Sequence, residues 1–145
     1  LAGFDRWIEE KAGGTIPEIF AAEGEAAFRG LARQSLDEVL STRRCQILAT
    51  GGGALLSPEA QAILYSHPAL VIYLDASLEM IEQRVGDGSG RPLIAGQDRD
   101  RLVQLYDSRR PIYRSLADFV VNADLPLEYK LDSIIATLGL GGETP

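Results

Sequence analysis

Cysteine is almost missing from these 145 residues. Cys45 is the only one, so no internal disulfide can form and a reducing, cytoplasmic setting is expected. It opens an apolar strand, where a buried inert thiol is the expected reading. Long hydrophobic runs are missing as well. The apolar stretches fall far short of the roughly 18 residues that span a bilayer, which excludes a membrane helix. Residues 1–11 carry Asp5, Arg6, Glu9 and Glu10, so they read as a helix entry and not as a secretion signal. Positive charge is short too: the formal net charge is −7, which argues against nucleic acid as a partner. Neither internal repeats nor a linker rich enough to divide the chain are visible, so one domain is expected.

What is present is an apolar, globular composition, 46% hydrophobic, with an unusual set of cations. Lys11 and Lys130 are the only lysines among 14 basic residues, and the other twelve are arginines. The planar guanidinium fork suits carboxylate and phosphate, although a GC-rich genome produces the same bias. The chain starts without methionine close to a functional-looking motif, so a longer parent protein is expected.

Periodicity and punctuation predict alternating helices and strands. Residues 5–12 form a short helix that Gly13-Gly14 stops. Thr15 and Glu18 have capping-box spacing and start the next helix, which Gly24 interrupts. Residues 25–40 follow a helical period through Phe28, Leu31, Ala32, Leu36, Val39 and Leu40. A buried strand over 46–50 follows, then a helix opened by Ser57-Pro58 and running to an exposed His67. Residues 70–74 read as a second buried strand, and Ser77 caps the helix after it. Residues 98–116 form a long helix, bent or shortened near Pro111. A third strand over 119–121 and a final helix over 127–138 lead to a frayed tail, 139–145. The alternation predicts an α/β fold, a parallel sheet with helices on both faces in three αβα layers.

The residues that carry chemistry sit around glycine. Ile47-Leu48-Ala49-Thr50 ends in Gly51, Gly52 and Gly53, bare backbone at a strand's carboxyl end, where a small ligand can approach the main chain. Arg109 falls on the apolar stripe formed by Leu102, Leu105, Tyr106, Ile112 and Tyr113, while Arg110 falls off it. A guanidinium on an inner face needs an anion, which is either a structural salt bridge or a substrate carboxylate or phosphate. Arg91 lies between Gly86-Asp87-Gly88-Ser89-Gly90 and Pro92, on a segment punctuated like a mobile lid. It is either a solvated loop arginine or a clamp on a transferring phosphoryl group. Arg29 follows the apolar helix position Phe28. Asp5 is either a carboxylate favoured by its helix N-terminus or a base near a hydroxyl.

Six motifs occur in order. They are Phe4-Asp5-Arg6-Trp7-Ile8-Glu9, Gly14-Thr15-Ile16-Pro17-Glu18-Ile19-Phe20, Gly24-Glu25-Ala26-Ala27-Phe28-Arg29, Thr50-Gly51-Gly52-Gly53, Arg91-Pro92-Leu93-Ile94-Ala95-Gly96 and Arg109-Arg110-Pro111-Ile112-Tyr113. Together they resemble shikimate kinase from end to end. The resemblance implies a P-loop kinase-like fold over residues 1–138, with a substrate-binding part near 4–31 and a lid near 86–98. It implies that Asp5, Arg29, Arg109 and Gly51, Gly52 and Gly53 hold shikimate. The two arginines would take its carboxylate, and Asp5 would meet the ring hydroxyls and draw the proton from the one attacked. Arg91 would reach the phosphates of ATP from the lid, and Arg84 with Pro92 would border the adenine. Mg2+ and a monomeric cytoplasmic enzyme are implied as well.

The sequence departs from the family pattern in three places. The family's first strand and its G-x-x-x-x-G-K-[ST] phosphate loop are missing, since neither lysine lies in such a loop. Gly3 stands where an aspartate linked to magnesium is expected, so no metal ligand is assigned. Ala32 stands where an acidic residue steadies the helix arginine. The 145-residue chain is therefore expected to be inactive alone and, lacking a central strand, to fold poorly or leave an exposed gap. Two further readings stand beside the kinase: a non-catalytic ligand-sensing domain, motivated by Gly3 and Ala32, and another small-molecule kinase of the same fold.

Overall fold

The computed structural model describes residues 2–42, 47–86 and 99–140. It contains two compact units, Leu1–Ala69 and Leu70–Pro145.

The first unit runs β1 (Ala2–Gly3), α1 (Phe4–Ala12), α2 (Ile16–Ser41), β2 (Leu48–Ala49) and α3 (Pro58–Tyr65). Its helix boundaries follow local chemistry. Gly13, at φ 73°, takes the left-handed conformation that ends α1. Thr15 accepts a bond from the Glu18 amide while Glu18 bonds back to the Thr15 amide, the reciprocal cap anticipated for α2. Gly24, at φ 82° and ψ 176°, breaks α2 into two helical stretches where only glycine is comfortable. Ser57 caps α3 through the Ala60 amide. The apolar faces of α1, α2 and α3 meet in one core containing Phe4, Ile8, Ile19, Phe28, Leu36, Val39 and Ala60. The Lys11–Glu38 ion pair, at 2.5 Å, joins α1 to α2 at the surface. β1 and β2 pair in parallel, with Ala2 opposite Leu48 and Gly3 opposite Ala49.

The second unit runs β3 (Ile72–Asp75), α4 (Leu78–Gly86), α5 (Arg99–Leu116), β4 (Phe119–Asn122) and α6 (Leu127–Thr137). β3 and β4 pair in parallel from Ile72 opposite Phe119 to Asp75 opposite Asn122. Ser77 accepts a bond from the Met80 amide and so caps α4 as expected. The hydrogen-bonded ladders of the described residues are thus two separate parallel pairs.

Three expectations change. The strand over 70–74 is expected to be buried, yet Leu70 is 64% and Leu74 53% exposed. A two-stranded ladder leaves each strand without a neighbour on its outer edge, so its apolar side chains lack cover. α5 runs on through Pro111 to Leu116, so the helix is not shortened there; one missing N–H is tolerated on its exposed side. His67 is not an exposed end residue: its Nε2 lies 2.9 Å from Asp37 Oδ1, with the His side chain 16% exposed. Cys45, residues 87–98 and residues 141–145 lie outside the described residues.

Candidate active site

Parallel pairing brings the first group of residues together. Gly3 and Ala49 are register partners, so both strands end at the same level and on the same side. Two residues further on, one chain carries Asp5 on the first turn of α1 and the other carries Gly51. A Cβ placed on Gly51 would lie 3.2 Å from Asp5 Oδ1 and 3.3 Å from Oδ2. Backbone therefore rests directly against the carboxylate, and glycine is the residue that permits it.

Arg29 arrives from α2. Phe28 is buried and stacks on Phe20, with ring centroids 4.6 Å apart, which leaves the next residue turned outward. The Arg29 Nη1 donates to the Gly53 carbonyl at 3.5 Å, and a Cβ on Gly53 would come within 3.2 Å of that nitrogen. Its Nη2 meets Glu25 Oε1 at 3.5 Å, one helical turn earlier. Glu25 thus lies one turn before Arg29, on the same face of the helix as Ala32 one turn after it, where the family pattern places the steadying carboxylate. Gly52 lies between these contacts in the turn after β2.

The result is a carboxylate, a guanidinium and side-chain-free backbone at one edge of the first unit. Among the described residues, Asp5 has no hydrogen-bond donor of its own and is exposed. It can accept bonds from ligand hydroxyls. Arg29 can take a carboxylate, and the glycines let a flat ring lie against the main chain.

The second unit holds the other arginines. Arg109 and Arg110 are both half-buried, because the inner stripe of α5 is wider than its apolar positions indicate. Arg110 was placed off that stripe. It instead faces β3, donating from Nε to Asp75 Oδ1 at 2.9 Å and from Nη2 to Oδ2 at 2.8 Å. Arg114, one turn on, donates to the same carboxylate at 3.2 and 2.8 Å. The Arg110 guanidinium holds the Asp75 carboxyl down at about 2, despite its burial. Burial, aided by Asp75, pushes the neighbouring Tyr73 hydroxyl up to about 12. Arg109 makes no ion pair among the described residues. The Asp75 cluster was missed from sequence, although an acid closing an apolar run and arginines four apart were visible signals.

Arg84 is exposed in the last turn of α4. Its charge adds to the Ser77 hydrogen bonds that lower the Asp124 carboxyl. Arg91 and Pro92 fall outside the described residues.

Parallel strands with a carboxylate, a guanidinium and bare glycines at their carboxyl ends are an arrangement of α/β folds that can receive a small ligand. A family model described as shikimate kinase matches residues 2–138. A shikimate kinase of Francisella tularensis subsp. novicida is 42% identical over 121 residues, covering 83% of this chain and 68% of that protein. One from Limosilactobacillus fermentum is 43% identical over 120 residues, covering 83% and 69%. The structure of Acinetobacter baumannii shikimate kinase in complex with shikimate superposes with a TM-score of 0.79 at 30% identity, covering 97% of this chain and 79% of that one. Aquifex aeolicus shikimate kinase gives 0.78 at 30% identity, covering 97% and 83%. The chain belongs to the shikimate kinase family, phosphotransferases with a three-layer αβα P-loop kinase fold.

Membership implies use of ATP and Mg2+. Among the described residues no three His, Cys, Asp or Glu side chains converge, and Gly3 offers no carboxylate two residues ahead of Asp5, so no protein ligand to the ion is assigned. A G-x-x-x-x-G-K-[ST] loop does not occur within the 145 residues. Among the described residues, no helix is long and apolar enough to cross a membrane.

Proposed function

We propose that these residues form the acceptor side of a shikimate kinase, the part that holds shikimate while its hydroxyl attacks the γ-phosphate of ATP. The observation that carries the reading is the contact of Gly51 with both Asp5 oxygens and of Gly53 with Arg29. Asp5 hydrogen-bonds the ring hydroxyls and accepts the proton of the one that attacks. The new oxygen–phosphorus bond forms as the bond to the ADP oxygen breaks, giving shikimate 3-phosphate. Arg29 and Arg109 are assigned to the substrate carboxylate; Arg109 makes no ion pair among the described residues. Gly51, Gly52 and Gly53 keep the ring side of the site free of side chains. Positioning of this kind supplies most of what phosphoryl transfer needs from the acceptor side. Arg91 acts on the phosphates from residues 86–98, and Arg84 and Pro92 border the adenine. The kinase works as a cytoplasmic monomer.

Without a phosphate-cradling loop, the 145-residue polypeptide binds shikimate but does not turn over ATP; measurable turnover by the purified chain would refute that half of the reading. Calorimetric titration of shikimate tests the other half. Arg29→Ala and Arg109→Ala each remove a charged, bidentate bond and lower affinity by about tenfold or more. Unchanged affinity in either variant removes that arginine from the site.

A further inference from the structure

The second unit holds a cluster to which the reaction above assigns no task. At the carboxyl end of β3 the Asp75 side chain is 9% exposed and receives bonds from Arg110, Arg114 and the Tyr73 hydroxyl, the last at 3.1 Å. The bonds come from successive turns of α5, so the helix is pinned to the strand at two levels. Two further contacts act in the same place. The Tyr106 hydroxyl donates to the Ala76 carbonyl at 3.2 Å, and the Tyr73 and Tyr113 rings lie 5.4 Å apart. The Arg110 guanidinium also lies over the Tyr106 ring, 5.7 Å from its centroid.

This arrangement has two consequences for the residue between them. Arg109 is rotated roughly 100° around the helix from Arg110, so whatever sets the rotation of α5 sets where Arg109 points. A guanidinium carried about 6 Å from the axis moves by about 2 Å when the helix turns by roughly 20°. A displacement of that size takes a charged hydrogen bond out of reach of its acceptor, which costs about tenfold or more in affinity. The second consequence concerns charge. Asp75 occupies Arg110 and Arg114, which leaves Arg109 as the member of the trio without an acidic partner among the described residues.

We propose that Asp75 is a positioning residue for substrate binding: by engaging Arg110 and Arg114 it fixes the rotation of α5 and leaves Arg109 to meet the substrate carboxylate. The inference rests on the assignment of Arg109 to that carboxylate. The test is a double-mutant cycle on the full 145-residue chain, read by calorimetric titration of shikimate, with circular dichroism to verify the fold. Asp75→Asn is expected to weaken shikimate binding by about tenfold in the parent chain and to have no further effect in the Arg109→Ala background. Asp75→Glu, which keeps a two-oxygen acceptor, restores most of the loss. Arg110→Gln provides the same comparison with Asp75 still held by Arg114, should Asp75→Asn not fold. Equal losses in both backgrounds mean that Asp75 only holds the fold together, and overturn the inference. So does an Asp75→Asn variant that binds normally while Arg109→Ala binds weakly. If Arg109→Ala itself binds normally, the assignment of Arg109 falls first, and the role of Asp75 falls with it.

Discussion

Substituting Gly51 by alanine tests the site at its tightest contact. The added methyl would lie 3.2 and 3.3 Å from the two Asp5 oxygens, so one partner has to yield by a few tenths of an ångström. The strand backbone is fixed by the Gly3–Ala49 pairing just before it, whereas the Asp5 side chain is exposed and can rotate away. Gly51 is not among the glycines with positive φ, so alanine adopts its backbone without strain. The loss of unfolded-state freedom then stabilises the fold by about 0.4–1 kcal/mol. Moving Asp5 off its preferred rotamer costs about 0.5–1.5 kcal/mol, so the net change in stability is within about 1 kcal/mol of zero. Binding has no such compensation. A carboxylate displaced from the substrate hydroxyls loses a charged hydrogen bond of about 1.5–3 kcal/mol, or roughly ten- to a hundredfold in affinity. Thermal unfolding by circular dichroism and shikimate titration on the same sample separate the two effects. A Gly51→Ala chain that binds shikimate as tightly as its parent would refute the reasoning, and so would one whose affinity loss is matched by a collapse in stability.

Three other outcomes are expected. The Asp75 carboxyl sits at about 2 against an ordinary 3.8, so its contribution is present above pH 4 or so and disappears as pH falls towards 2. Allowing for the exposure of both arginines, this is roughly 1–2 kcal/mol; urea unfolding should show parent and Asp75→Asn chains converging in stability over that interval, and a constant difference contradicts the assignment. Gly3→Asp fits, because a Cβ there lies 3.9 Å from the Arg6 Cβ and φ is −78°. Gly3 is also the uncapped N-cap of α1, so aspartate should raise stability by about 0.5–1 kcal/mol in urea melts, and a loss of that size would contradict the geometry. Glu25→Gln removes the carboxylate 3.5 Å from Arg29; it should change stability by less than about 0.5 kcal/mol and weaken shikimate about two- to threefold by titration, while a tenfold loss would mean that the pair is stronger than its exposure indicates.

What could be read from the chain alone followed from how local the cause was. The caps at Thr15 and Ser57 and the break at Gly24 depend on a few neighbouring residues, and they sit where the sequence places them. Strand limits depend on a partner far along the chain, and β2 is shorter than its apolar run because only Leu48 and Ala49 find partners in β1 among the described residues. His67 could not be read correctly because Asp37 lies thirty residues before it. In the site, Asp5, Arg29 and the triple glycine were nominated separately by motif; the register of β1 on β2 is what puts Gly51 against Asp5. Arg110 was misplaced for a related reason. An apolar stripe marks where hydrocarbon is buried, and it does not show that a strand end offers a carboxylate to the next residue round the helix.

The central claim, that shikimate rests against the main chain between Asp5 and Arg29, is open to direct observation by NMR. A 15N-labelled chain titrated with shikimate should show the amide signals of Gly51, Gly52 and Gly53 and the Arg29 Nε signal shifting together along one saturable curve. Saturable binding that moves other signals and leaves the three glycines in place would contradict the account.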